Sequence, residues 1–415
     1  MTDNEKLNLK AQLSAVFRPS APIDKHALFA GRKQQIDRLM SAVLQTGQHA
    51  ILYGERGIGK TSLARVLAEV LSTAGFRTVH TDTLNCDSTD DFSSLWHRAL
   101  RELTLKIAAK AGRPNAFGGP KEDDKELDGL VPKTVSPDDV RRALSTFTGR
   151  GAVIVFDEFD RITNKEAKTL MADTIKNLSD HAADTTLLIV GVAKSVAELI
   201  SEHRSIDRAI VEVPMPRLSQ DELSQIIRKG LLNLKVTMTD EVHEKIVSLS
   251  HGLPHYTHLL ALESGRSAID RDSYLIEGED LLSALNQVVK SKHSVANEYS
   301  AAVRSPQKSS KHKMTLLACA LAKPDTQGFF QASEVASTMA NLLGENCSVS
   351  NIPKHLAEFI GVKRGSVLER EGSFRQFKYR FSNPLLQPYT IISSLSDKLL
   401  TDEKVWALQR EVENS

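Results

Sequence analysis

The 415-residue chain has only three cysteines, Cys86, Cys319 and Cys347, far apart and without metal-ligand spacing. So few thiols exclude a disulfide scaffold and point to a reducing compartment with structural cysteines. Long apolar runs are also missing. The longest, around Leu187–Ala193 and Leu316–Ala322, fall far short of the ~20 residues a membrane helix needs. The N-terminus carries Asp3 and Glu5 and no apolar core, so no signal peptide is read there. Net charge is only +1, which by itself implies no polyanionic partner. No repeat of fixed period is visible, which leaves out a repeat architecture. A soluble, cytoplasmic protein with no membrane partner is expected.

What is present is ordinary globular composition, 41% hydrophobic and 25% charged, on a length that suits two or three domains. Charge is unevenly spread, however. Between Lys290 and Thr390, 14 Lys and Arg stand against 7 Asp and Glu, a surplus of 7 positive charges.

The chain is organised around Gly54, Glu55, Arg56, Gly57, Ile58, Gly59, Lys60 and Thr61, a complete GxxxxGK[ST] loop. An apolar run, His49–Tyr53, precedes it and reads as a buried parallel strand. Behind it Leu63, Val66, Leu67 and Val70 recur at helical spacing. Strand, glycine loop and helix together form a phosphate cradle. The glycines turn the backbone tightly, successive N–H groups point inward, and the helix dipole favours an anion. Ser62 continues the loop into the helix. Lys60 is placed to reach the β- and γ-phosphates, and the Thr61 hydroxyl to complete a Mg²⁺ shell.

About a hundred residues on, Ala152–Phe156 is an unbroken apolar run ending in Asp157, Glu158 and Asp160. A carboxylate at the carboxyl end of a strand buried on both faces points into the ligand crevice. Asp157 is therefore placed to hold Mg²⁺ and Glu158 to orient water for attack on the γ-phosphate. Before the loop, Pro22, Ile23 and Phe29 are placed to pack against an adenine ring, or are the ordinary packing of an entry segment. Further strands are read at Phe76–Thr81, Thr185–Val192 and Ala209–Val213, and a long helix at Ser93–Ala111. Strands alternating with helices give an α/β fold with a parallel sheet covered on both faces.

The composition divides the chain. Residues 1–27 read as an arm, 28–216 as the α/β domain, and about 112–137 within it as a mobile, charged insertion. Ser219 begins a capped helix that opens a helical lid over 217–290, broken at His251–Tyr256. Residues 291–313 read as a basic linker. Helical patterns at Met314–Ala322, Gln331–Leu343 and Ile352–Ile360 precede two strands around Gly372. That is a winged helix over 314–392, followed by a tail, 393–415.

Leu28–Arg32, Gly54–Thr61, Val153–Asp160 and Ser219–Leu223 stand in the order found in AAA+ ATPases. With the terminal winged helix the layout resembles the origin-recognition and cell-division-control initiator branch. It is also similar to the signal-transduction (STAND) and bacterial transposition ATPases. The resemblance covers about residues 15–390. It implies an ATP–Mg²⁺ site, a helical lid, and assembly as a homo-oligomer or an AAA+ hetero-assembly. Lys60 and Thr61 match the Walker A lysine and hydroxyl, and Asp157 and Glu158 match the Walker B pair. Arg208 falls where these families carry a phosphate-reaching arginine, with Arg204 as its rival; the alternative is a surface pair with Asp207 or Glu212. Gly252–Pro254 resembles the GxP turn whose proline packs against nucleotide.

Two positions depart from the pattern. Ala193 and Lys194 replace the polar residue expected after the fourth strand, and His255 replaces a lid arginine. Both bear on hydrolysis rather than binding. His255 is either a phosphate sensor or a structural histidine. DNA is the expected partner of the winged helix through Lys354 on its third helix and Arg375, Lys378 and Arg380 on its wing. Engagement of a protein by the winged helix, with ATP driving oligomerisation, is the alternative.

Overall fold

The computed structural model describes residues 1–74, 79–110, 127–146, 151–200, 204–291, 293–304, 311–325, 328–343, 352–373 and 376–397. They fall into two compact units. One comprises Pro22–Glu55 with Gly59–Met215; the other comprises Met1–Ala21, the loop tip Arg56–Ile58 and the chain from Pro216 onwards.

The first unit is an α/β layer built on β1 (His49–Gly54), β2 (Val79–His80), β3 (Leu84–Asn85), β4 (Ala152–Asp157), β5 (Thr185–Val192) and β6 (Ile210–Met215). The strand order is β2-β4-β5-β1-β6, with β3 beside β4, and every pairing is parallel. The reason lies in β4, where all six residues are buried, as a strand covered on both faces requires. Its helices are α2 (Lys33–Leu44), α3 (Lys60–Thr73), α4 (Phe92–Lys110), α5 (Pro137–Ser145), α6 (Lys165–Asp180) and the short α7 (Val196–Leu199). The Ser136–Asp139 capping box, with Pro137 in the first turn, starts α5. Trp96 of α4 is fully buried and meets Phe156 edge-on, ring centroids 5.5 Å apart. Of the expected insertion, residues 112–126 lie outside the described residues. Leu127 and Val135 are buried in the core of this unit, so its second half returns to the fold.

The second unit is mainly helical. It contains α1 (Asp3–Val16), α8 (Gln220–Leu231), α9 (Asp240–Leu249), α10 (Pro254–Asp270) and α11 (Gly278–Ser291), with short strands β7 (Thr237–Met238) and β8 (Leu275–Ile276). The segment read as an arm is thus largely helix. Its Leu9, Leu13 and Phe17 are buried, and Lys6 pairs with Asp272 at 2.9 Å. The Ser219–Glu222 capping box starts α8.

Further on lie α12 (His293–Val303), α13 (His312–Leu321), β9 (Phe330–Gln331), α14 (Ala332–Leu343), α15 (Ile352–Ile360), β10 (Leu368–Glu371), β11 (Lys378–Phe381) and α16 (Leu386–Ser396). The sheet order β10-β11-β9 is antiparallel, with Leu368 opposite Phe381 and Tyr379 opposite Phe330. The short strand β9, between α13 and α14, thus closes the hairpin into a three-stranded antiparallel sheet. In this stretch two helices go beyond the sequence reading. One is α12, inside the basic stretch read as linker; the other is α16, buried along almost its whole length.

Candidate functional site

The glycine loop leaves the carboxyl end of β1 and enters α3. Gly57 (φ 83°) and Gly59 (φ 93°) take left-handed conformations, and Gly59 caps α3. A side chain at either position would strain this backbone, which is why the loop needs glycine there. Arg56 is exposed, Ile58 is buried, and Gly54 and Glu55 are half-buried. Lys60 is buried, and its ammonium donates to the carbonyls of Gly54 (3.0 Å) and Glu55 (2.6 Å). The loop therefore holds its own cation on two backbone carbonyls, at the first residue of α3. Ser62 accepts the Ile23 N–H at 3.1 Å, which ties the entry segment to α3; Ile23 and Phe29 are both buried.

The acidic strand tip meets this loop. The Thr61 hydroxyl donates to Asp157 Oδ2 at 2.7 Å, and the Glu158 N–H donates to Asp157 Oδ1 at 2.8 Å. Burial pushes the Asp157 carboxyl up from its ordinary range. The two donors and the Lys60 charge oppose that shift, and the Glu158 charge adds to it. A hydroxyl and a carboxylate at this separation offer the hard oxygen donors that Mg²⁺ prefers, so these residues fit the metal and a phosphate chain. Glu158 takes a left-handed backbone (φ 55°), is half-exposed and pairs with Arg161 at 2.7 Å.

The remaining predicted residues make contacts of their own. Arg208 is well exposed and pairs with Asp180 at 2.8 Å, rather than with Asp207 or Glu212. The Arg204 side chain lies outside the described residues. Pro254 is the first residue of α10, after the Gly252 turn. His255 Nδ1 donates to the Pro19 carbonyl at 2.6 Å, and its ring meets Tyr256 edge-on. The structural alternative for this histidine therefore gains a specific partner. Lys194 N–H donates to Glu198 at 2.8 Å. Of the residues expected to meet DNA, Lys354 is exposed, Lys378 pairs with Asp325 at 3.2 Å, and Arg380 pairs with Glu369 while lying over Phe329. Arg375 lies outside the described residues.

Sequence reading missed Arg217. Its guanidinium donates to Gln387 Oε1 (2.7 Å) and to the His251 carbonyl (3.3 Å), and Gln387 in turn donates to Ala320. No local pattern signals a link across 170 residues.

Residues 28–190 match the model of the AAA ATPase domain family. Among solved structures the chain is similar to a Walker-type ATPase of Pyrococcus abyssi, at 14% identity over 91% of this chain and 99% of that one, with a TM-score of 0.50. It is also similar to the ORC1 protein of Aeropyrum pernix solved in complex with DNA (18% identity, 95% and 97% covered, TM-score 0.45). A third similar structure is Cdc6p of Pyrobaculum aerophilum (14% identity, 94% and 99% covered, TM-score 0.44). No curated protein sequence matches significantly. Among the described residues, no helix is long and apolar enough to cross a membrane. The segment similar to the AAA ATPase domain family holds the glycine loop, the acidic strand tip, β1 to β4 and most of β5.

Proposed function

We propose that the chain binds ATP with Mg²⁺ and hydrolyses it to ADP and phosphate, and that nucleotide state governs assembly and engagement of DNA by the winged helix. The observation that carries the first part is the 2.7 Å bond from Thr61 to Asp157 beside a buried Lys60. It supports a site in which the loop amides and Lys60 hold phosphate oxygens. Thr61 and Asp157 turn their oxygens to the cation. When bound, the cation neutralises charge on the β- and γ-oxygens. Glu158, freed from Arg161, orients water by accepting its proton. Arg208 serves a neighbouring subunit's site. Its surface pair with Asp180 is worth only about 0–1 kcal/mol, so little opposes its release.

The test is calorimetry with ATP and Mg²⁺ on the parent, Lys60→Ala and Glu158→Gln. Lys60→Ala abolishes binding, whereas Glu158→Gln binds and stalls hydrolysis. Absence of binding in a folded parent overturns the reading.

The surplus of basic residues between Lys290 and Thr390 supports DNA as the partner. A second reading, in which the winged helix binds protein, is favoured by the pairing of Lys378 and Arg380 with acidic neighbours. A gel shift that weakens steeply with salt favours the first reading. ATP-dependent assembly with no shift at low salt favours the second.

A further inference from the structure

Beside the acidic strand tip sits a carboxylate that the reaction above leaves unused. β4 stays in register with β5 from Ala152 opposite Thr185 to Phe156 opposite Ile189, and then turns away. β5 continues three residues further, with Gly191 and Val192 still paired to Tyr53 and Gly54 of β1. On its other side, the Val192 N–H would lose its partner where β4 departs. Asp160 Oδ1 accepts that N–H at 2.7 Å and so takes the place of the missing strand. Asp160 lies in the turn Phe159–Arg161, two residues past Glu158.

The fit at Gly191 is close. A Cβ built there would come within 3.1 Å of Asp160 Oδ1 and 3.2 Å of its backbone N, as well as 2.5 Å from the Leu199 side chain. The turn therefore lies directly on bare backbone. Two further anchors hold it: Phe159 is fully buried, and Asp157 accepts the Glu158 N–H. Between these anchors Glu158 carries a left-handed backbone (φ 55°) that a residue with a Cβ seldom adopts unless its surroundings impose it.

We propose that Asp160 is the positioning residue for Glu158: its carboxylate, bonded to the tip of β5, fixes the twisted turn that aims Glu158 at the attacking water. This inference rests on the ATPase reading above. It also names a polar atom at the end of β5, where Ala193 and Lys194 follow in place of the expected polar side chain. That atom comes from the neighbouring turn instead. Because β5 lies between β4 and β1, the bond joins the tip that carries Glu158 to the strand paired with the one that launches the glycine loop. Asp160 touches no reacting atom in this role; it acts through the backbone.

The test compares the parent with Asp160→Asn, Asp160→Ala and Gly191→Ala. Steady-state hydrolysis, MgATP affinity, thermal melting and hydrogen exchange at the Val192 amide are all measured. Asp160→Asn retains an acceptor oxygen and keeps the parental rate within about threefold. Asp160→Ala frees the Val192 amide to exchange and lowers kcat by roughly tenfold to a hundredfold, the scale of a misplaced catalytic group, with KM and affinity little changed. Gly191→Ala keeps the Asp160 side chain but crowds its carboxylate oxygen and backbone N from the strand side, and shows the same loss confined to kcat. A folded Asp160→Ala protein that hydrolyses at the parental rate overturns the assignment. Equal losses in Asp160→Asn and Asp160→Ala also overturn it, since charge would then matter rather than acceptance. A parent that does not hydrolyse ATP sinks the ATPase reading itself, and this proposal with it; the other two outcomes leave that reading standing.

Discussion

Asp157 is buried and satisfied by two donors, and one of them, the Thr61 hydroxyl, is the group proposed above to turn to the cation. Replacing Thr61 by Val removes one charge-assisted bond, of about 1.5–3 kcal/mol, from a carboxylate that water cannot reach freely. Affinity for ATP should then fall roughly tenfold to a hundredfold with Mg²⁺ present and much less in EDTA, as read by calorimetry. A second prediction at this scale concerns protons. Burial lowers His49 to about 4, and its Nδ1 accepts the Leu187 N–H at 3.0 Å, so the folded chain keeps it neutral. Above pH 6.5 both folded and unfolded chains leave it uncharged. As pH falls from there towards 4, only the unfolded chain takes up the proton, so stability is lost on acidification. His49 alone should account for about 3 kcal/mol across that window. His258, also lowered by burial to about 4, adds to the loss in the same direction. Urea unfolding at pH 7 and pH 4.5 measures it; an unchanged midpoint would contradict it.

At the scale of the element, the sequence was most legible where its signal is local. The glycine loop, the unbroken apolar run of β4 and the Ser219–Glu222 box each announce themselves within a few residues, and each stands where it was read. Elements without a contrasting face were not legible. α16 is buried almost throughout, so its sequence carries no polar stripe to set a period. α1 has the opposite difficulty, since a mostly polar helix with a few buried residues looks like an arm. Asp160 and Arg217 could be seen as charges, but their partners Val192 and Gln387 emerge only from strand register and packing. The burial of Phe17, edge-on to His258 at 6.1 Å, gives α1 a measurable share in its unit. Phe17→Ala should destabilise that unit by about 3–5 kcal/mol, seen as a lower melting temperature. A melt matching the parent's would mean that the helix is only loosely held.

For the whole molecule, the questions are charge and assembly. A net charge of +1 hides the basic stretch before Thr390, yet two of its wing cations already have acidic partners. If DNA binds there, Glu369→Gln frees Arg380 and should strengthen a gel shift while steepening its dependence on salt. A weaker shift would mean that the pair shapes the wing rather than restraining it. Arg208→Ala tests assembly. Its hydrolysis should match the parent in dilute solution, where subunits are apart, and fall behind as concentration rises. Where such arginines act, the deficit reaches 10³–10⁵. Equal rates at every concentration would assign Arg208 to its surface pair with Asp180.

The scarcity of tryptophan has a practical consequence. Of the two indoles, Trp406 lies beyond the described residues, and Trp96 is sealed against Phe156, the neighbour of Asp157 in the chain. A Trp406→Phe protein would thus carry a single indole just behind the acidic tip, excited selectively at the red edge where tyrosine does not absorb. Its blue-edge emission would follow nucleotide and metal loading in real time, with no dye attached.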